Sequence, residues 1–470
     1  MSRQIAILST IALSLTLPSW AGQVYSREDA VKIALEKSSD IQSAEEEVKT
    51  ANSQVEAGYG NAYPTVDFSA TYARTFGVKD VRESSALTDA LNSMSEGDSV
   101  EKPSQYDYAI AGATDGVLSG LSAMQGYRWG TQVGLTANQV LYAQGKISTG
   151  IQIAKAYKRI AEASLEDTKA KVRYDVENAF NQLIFLDSSV VITEESIDLT
   201  QSYVDLAVKA HESGTGTELD VIRAQIQLDE GLSGLEKLKK KRIIARNALL
   251  NSMGLPFEAD VSFKGELANP DNDTTVADTS MANVKKRRKE LVMLEETENM
   301  KNLNIDIEEG SYKPTLVLGG SVTYQSGKNR VFKWDAPDWD KNISKKVYLN
   351  FSMNLFNGFQ TREKVSQAKI SLRETQIQKE TAERGFRLQI ESCLNDLDDA
   401  QKQLIIKKRS VDLAQKNQEM TDAAFKVGRD TQINLLNANM SLHKAKLDYM
   451  EAILNWNNAK NALLQATGEY

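Results

Sequence analysis

The chain has 470 residues, a net charge of −8, one cysteine and two histidines. That balance gives no electrostatic attraction for nucleic acid or an anionic lipid surface. A lone Cys393 excludes an intramolecular disulfide or a cysteine metal cluster, and His211 and His443 are too few for most metal or triad chemistry, so no cofactor is expected.

Arg3, the largely apolar run Ile5–Leu17 and the small residues up to Ala21 read as a signal peptide over 1–21. No later stretch holds about 18 consecutive apolar residues, so no transmembrane helix is expected. Ser26 to Gly58 reads as one helix, with Ser26 as N-cap, Asp29 three residues on, and Ala30, Ile33, Ala34, Ile41 and Val48 at helical spacing. After Tyr63-Pro64 the period changes to two. Val66, Phe68, Ala70 and Tyr72 alternate with Thr65, Asp67, Ser69 and Thr71, and Val133, Leu135 and Ala137 form a second such run. Between them, Arg74 to Arg128 reads as a long loop.

Proline is absent between Pro103 and Pro256 and after Pro337, as long helices require. From Val172 to His211 the positions Val176, Ala179, Leu183, Leu186, Val190, Thr193, Ile197, Thr200, Val204 and Ala207 step by four and three, the register of a coiled-coil seam. Helix from Lys146 to His211 would be on the order of 100 Å long. Gly214 then supplies the left-handed stop, and Thr217 can cap the helix that returns to Gly254.

Residues 129–254 align with 343–468 at a constant offset of 214: Leu141 with Leu355, Glu177 with Glu391, Gly214 with Gly428, Thr217 with Thr431 and Gly254 with Gly468. The second half therefore repeats the hairpin (Leu316 to Tyr324 with Val347 to Leu355) and the seam, from Phe386 through Cys393, Lys407 and Gln418 to Phe425. Cys393 is expected to be a small packed residue and His211 a seam residue. Lys407 and Gln418 are expected to face water. The expected organisation is a first repeat over 22–254 (strand hairpin about 64–141, helical hairpin about 144–254), a linker over 255–280 and a second repeat over 281–470 (strand hairpin about 314–356, helical hairpin about 358–468). Such a duplication points to pseudo-symmetric architecture rather than an asymmetric catalytic site.

Strands of about nine to eleven residues with one apolar face, in an exported chain, fit a membrane barrel. Four strands cannot close, and an open edge in lipid leaves backbone groups unpaired. Two chains give eight strands, whose interior side chains fill; three give twelve and leave room for a lumen.

The chain resembles the TolC-like outer-membrane efflux proteins over essentially its whole mature length. The resemblance is carried by Ser26-Arg27-Glu28-Asp29-Ala30-Val31 with Ala34-Leu35-Glu36, by Tyr63-Pro64, by Leu355-Phe356-Asn357-Gly358-Phe359, and by the turns Gly214-Thr215-Gly216-Thr217-Glu218-Leu219-Asp220-Val221 and Gly428-Arg429-Asp430-Thr431. It implies an α+β membrane protein, a duplicated unit of long coiled-coil helices plus β-hairpins. The implied assembly is a homotrimer whose twelve-stranded β-barrel in outer-membrane lipid is continued by a periplasmic α-helical barrel. The implied function is the exit duct of a tripartite efflux or type I secretion system in a Gram-negative cell. A periplasmic adaptor (membrane fusion protein) and an inner-membrane pump of RND or ABC type would dock at the tips around Gly214, Thr215, Gly216, Thr217, Gly428 and Thr431. By the same resemblance Asn434 and Asn437 match the acidic ring of the periplasmic constriction. Asp220 matches an acid that links to a tyrosine and an arginine, positions held here by Phe425 and Asp430. Asp220 is therefore expected to bond the adjacent Arg429, or a backbone group, across the tip. The competing classes are a periplasmic coiled-coil adaptor or a structural coiled coil, neither of which needs strand hairpins in both halves. An enzyme is disfavoured, since no phosphate loop, metal cluster or nucleophile motif is present.

Overall fold

The computed structural model describes residues 23–76, 91–93, 129–268, 277–328 and 342–470. The expected signal peptide and most of the long first loop lie outside them. In chain order the elements are β1 (Gln23–Tyr25), α1 (Arg27–Lys37), α2 (Ser39–Gly60), β2 (Thr65–Arg74), β3 (Trp129–Tyr142), α3 (Lys146–Glu212), α4 (Glu218–Ser252), β4 (Val261–Phe263), α5 (Met281–Arg287), α6 (Lys289–Gly310), β5 (Thr315–Lys328), β6 (Ile343–Ser352), α7 (Gln360–Lys426) and α8 (Gln432–Thr467). They fall into two compact units. One holds residues 23–53, 155–301 and 370–470; the other holds 54–154 and 302–369.

In the first unit the helix expected over Ser26 to Gly58 is two helices. Ser26 and Asp29 form a reciprocal capping box at the start of α1, and the chain breaks at the buried Ser38 (φ −57°, ψ 132°). The break recurs 250 residues on, at Arg288 (φ −67°, ψ 112°) between α5 and α6. A glycine explains both breaks. Gly254, after α4, has φ +69°, and a Cβ on it would lie 2.3 Å from the Lys37 carbonyl oxygen. Gly468, after α8, has φ +73°, and a Cβ there would meet Arg287 and Arg288 backbone at 3.1 Å. Each returning helix thus ends with its backbone against a kink in the opening helix. The same duplication governs every residue with positive φ among those described: Gln144 with Gly358, Gly145 with Phe359, Gly214 with Gly428 and Gly254 with Gly468, all 214 apart.

The cores are duplicated too. Ala34, Val176 and Leu249 lie in one cluster, and their repeat equivalents Val284, Ile390 and Leu463 in another. Cys393 is buried in the second, where desolvation pushes its thiol pKa up and keeps it unreactive. The α3 seam positions from Val172 to Ala207 are buried or half-buried, but His211 is exposed, because the seam ends one turn before the helix does. Lys407 and Gln418 stand neither in dry core nor free in water. Lys407 is paired with Asp448 at 2.8 Å, and Gln418 donates to the Tyr203 hydroxyl at 3.4 Å. The expected linker contains β4, which pairs in parallel with β1.

The second unit carries one antiparallel sheet in the order β2-β3-β5-β6. The two hairpins are joined through β3 and β5, which run to 14 residues, longer than the sequence period indicated. Period two puts Val66, Phe68, Leu135, Val322, Val347, Leu349 and Phe351 on one face. Among the described residues no core covers that face: Val347 is 84% exposed, Phe68 69% and Phe351 65%. The other face carries Asp67, Thr136, Ser321 and Lys346 in one transverse row. On it the Tyr348 hydroxyl reaches over β5 and donates to Asn138 Oδ1 at 2.9 Å. Lys345 interrupts the apolar face, on the edge strand β6 and in the same transverse row as Phe68, Leu135 and Val322.

Candidate functional site

The tip turns lie in the first unit, and the two differ in how they are built. At the first, Ala210 offers its carbonyl to the backbone amides of Thr215 and Gly216, both at 2.9 Å, and to the hydroxyls of Ser213 and Thr215. A Cβ on Gly216 would sit 2.9 Å from Ala210 Cβ, so only glycine permits this closure. Thr217 and Asp220 then form a capping box: Asp220 Oδ2 accepts from the Thr217 hydroxyl at 2.6 Å and from the Thr217 amide at 3.3 Å. The Asp220 carboxylate therefore serves its own turn and does not reach Arg429, which is exposed. A carboxylate three residues into a helix meets local amide donors first. Thr217→Ala is expected to cost about 1 kcal/mol. Amide exchange of Asp220 and its neighbours, accelerated roughly fivefold, would show it; unchanged exchange would mean the cap contributes nothing.

At the second turn, Asp430 stands where the first has Gly216, and Asn434 where the first has Asp220. Thr431 makes no side-chain cap. Instead Asp430 Oδ1 accepts from Asn434 Nδ2 at 2.6 Å and from the Thr431 amide at 2.7 Å, and these two bonds hold the Asp430 carboxyl below its usual pKa. Asn434 and Asn437 are exposed together on one face of α8, while the intervening Leu435 and Leu436 are buried. Those leucines pack with Tyr203, Val204, Ala224 and Leu228, and Phe425 leans on the cluster, so the two helical hairpins share a core just above the tips.

Above that core α8 is bonded to α3 by polar side chains that seam analysis within each hairpin does not find. Asn439 Nδ2 donates to Thr200 Oγ1 at 3.2 Å, Thr193 Oγ1 meets His443 Nε2 at 3.1 Å, Lys446 pairs with Glu195 at 3.2 Å, and Asn461 donates to Asn178 at 2.9 Å. Burial, aided by the Lys446 charge, lowers the His443 pKa. The sign follows: the folded state disfavours protonation, so the stabilisation is whole above about pH 6.5 and is lost as pH falls through the folded pKa. Melting followed between neutral and mildly acid pH should show a loss in the wild type that His443→Gln flattens. Equal loss in both would place the acid sensitivity elsewhere.

Paired long helical hairpins, together with an amphipathic antiparallel sheet whose apolar face is exposed, define a passive membrane channel. A family model described as outer membrane efflux protein matches residues 114–255 and 281–469. The chain belongs to that family. It is 24% identical over 310 residues to outer membrane protein TolC of Escherichia coli (strain K12), spanning 63% of this chain and 60% of that one. To the outer membrane efflux protein BepC of Brucella suis it is 20% identical over 365 residues, 78% of each chain. The crystal structure of the Campylobacter jejuni CmeC outer membrane channel superposes with a TM-score of 0.73 at 14% identity, covering 94% of this chain and 85% of that one. The protein is accordingly an outer-membrane exit duct of an efflux system, with a large periplasmic part, and not an enzyme. Channels of this kind operate with adaptor and pump partners.

Proposed function

We propose that three copies of this chain join their sheets into a twelve-stranded barrel, and their helical hairpins into a periplasmic tunnel. The observation that carries this reading is the sheet. Its apolar face is exposed, and among the described residues its edge strands β2 and β6 each have no partner on their outer side. In lipid, edge closure by further copies satisfies those backbone groups. In this reading the tips around Gly214, Thr215, Gly216, Thr217, Gly428 and Thr431 dock an adaptor and a pump of RND or ABC type. Asn434 and Asn437, with Asp220, Phe425, Arg429 and Asp430 behind them, narrow the periplasmic end. Amide dipoles there would attract cations less than carboxylates do. Toxic small molecules or a secreted polypeptide pass outward, driven by the pump.

The test is deletion of the gene, scored for sensitivity to detergents and dyes and for loss of a secreted protein, alongside membrane fractionation. A mature chain that stays dissolved and monomeric without surfactant overturns the barrel. Unchanged sensitivity and secretion overturn the duct.

A further inference from the structure

The apolar face of the sheet does not end in apolar residues. At the hairpin-tip end its last row is Arg74, Trp129 and Lys328, register partners on β2, β3 and β5. The Arg74 guanidinium lies 4.9 Å from the Trp129 ring centroid and 4.6 Å from that of Phe76. Tyr72 stacks on the same indole at 5.3 Å and 18°. Phe76 is 77% exposed, so the cluster is not a buried core. Among the described residues no carboxylate pairs with Arg74. Lys328 is the register partner of Trp129 on β5, two strands from Arg74, or about 10 Å. The row thus carries two cationic residue types in register, Arg74 and Lys328, with the Arg74 guanidinium on the indole.

We propose that this row binds the phosphate groups of the phosphorylated glycolipid in the outer leaflet; the inference rests on the lipid-facing reading of the sheet. Depth supports it. From Leu316 to Lys328, β5 covers about 40 Å along the strand. At a tilt near 40° that is about 30 Å along the membrane normal, past an apolar band of about 25 Å. The row therefore falls where acyl chains give way to headgroups. Chemistry supports it as well. The Trp129 and Phe76 rings hold the guanidinium at the sheet surface, and a planar fork of donors suits a phosphate better than a point charge does. Trp129, Tyr72 and Phe76 supply apolar faces to the glycolipid's sugar and upper acyl carbons.

The experiment uses the full-length protein in detergent. Binding is measured for diphosphorylated lipid A, for the same lipid stripped of phosphate, and for inorganic phosphate. The wild type should prefer the phosphorylated lipid by about tenfold or more, and Arg74→Gln combined with Lys328→Gln should abolish the preference. Arg74→Lys keeps the charge but loses the fork and should fall between, giving a readout if the double variant folds poorly. Inorganic phosphate should not compete. Retention of the preference in the double variant overturns the proposal, as does competition by inorganic phosphate, which would show a site for free anions. A wild-type protein that fractionates with the outer membrane yet shows no phosphate preference sinks this inference alone. One that needs no detergent sinks the barrel reading beneath it.

Discussion

Gly254→Ala is expected to destabilise the first unit by about 2–5 kcal/mol, through two costs that act together. The left-handed backbone (φ +69°) penalises any Cβ, and the added methyl would lie 2.3 Å from the Lys37 carbonyl oxygen and 2.8 Å from its carbon. Backbone cannot swing aside as a flexible side-chain end does. Either α4 must withdraw from the α1–α2 break or the break must open, and both pull Leu249, Leu250 and Met253 from the core they share with Ala30 and Ala34. Gly468→Ala repeats the experiment in the second half with a looser contact, 3.1 Å to Arg287 and Arg288, and should cost less, about 1–3 kcal/mol. Gly234→Ala, inside α4 with nothing near its missing Cβ, should instead stabilise by about 0.5–1 kcal/mol. Hydrogen exchange of Leu249 and Leu250, and of Leu463 for the Gly468 variant, ranks the three. Equal exchange in the Gly254 and Gly234 variants would show that the helix end is not held against the break.

What the sequence made legible is what repeats locally. The four-three spacing from Val172 to Ala207 is visible because burial on a helix recurs with its turn, and Leu135 or Val347 can be assigned a face because a strand alternates. Ser38 could not be seen as a break. Nothing in its neighbourhood forbids a helix, and the cause is Gly254, more than 200 positions away. The bonds Asn439–Thr200 and His443–Thr193 were equally hidden, since they join two repeats whose seams each look self-sufficient. Strands of three residues, such as β4, carry too little pattern to register above an Asn- and Asp-rich linker. At the tips, Gly214 and Gly428 were readable from their chemistry, but the use of Asp220 was not. A capping carboxylate and one that crosses a tip occupy the same position in a sequence, and only geometry shows the carboxylate on Thr217.

The second large effect separates the two faces of one strand. Leu135 and Thr136 are neighbours in the middle of β3, so an arginine at either meets the same backbone and the same depth. Leu135 shares its face with Phe68 and Val322. If lipid covers that face, Leu135→Arg puts a guanidinium near the bilayer midplane and costs about 2–4 kcal/mol in each chain. Because every copy in an assembly carries the change, the losses accumulate, and inserted, heat-resistant oligomer should largely disappear. Thr136 faces the other way, directly across from Asp67 in the register. Thr136→Arg therefore gains an opposite-charge cross-strand partner worth about 0.2–1 kcal/mol and should insert normally. Its signature would be electrical, a shift of single-channel selectivity away from cations, since the added positive charge would line the lumen. A lipid-covered apolar face is incompatible with the two variants inserting equally well, and also with Thr136→Arg failing where Leu135→Arg succeeds. The comparison needs no partner protein and no knowledge of the exported load, so it isolates the property on which membrane insertion of the sheet depends.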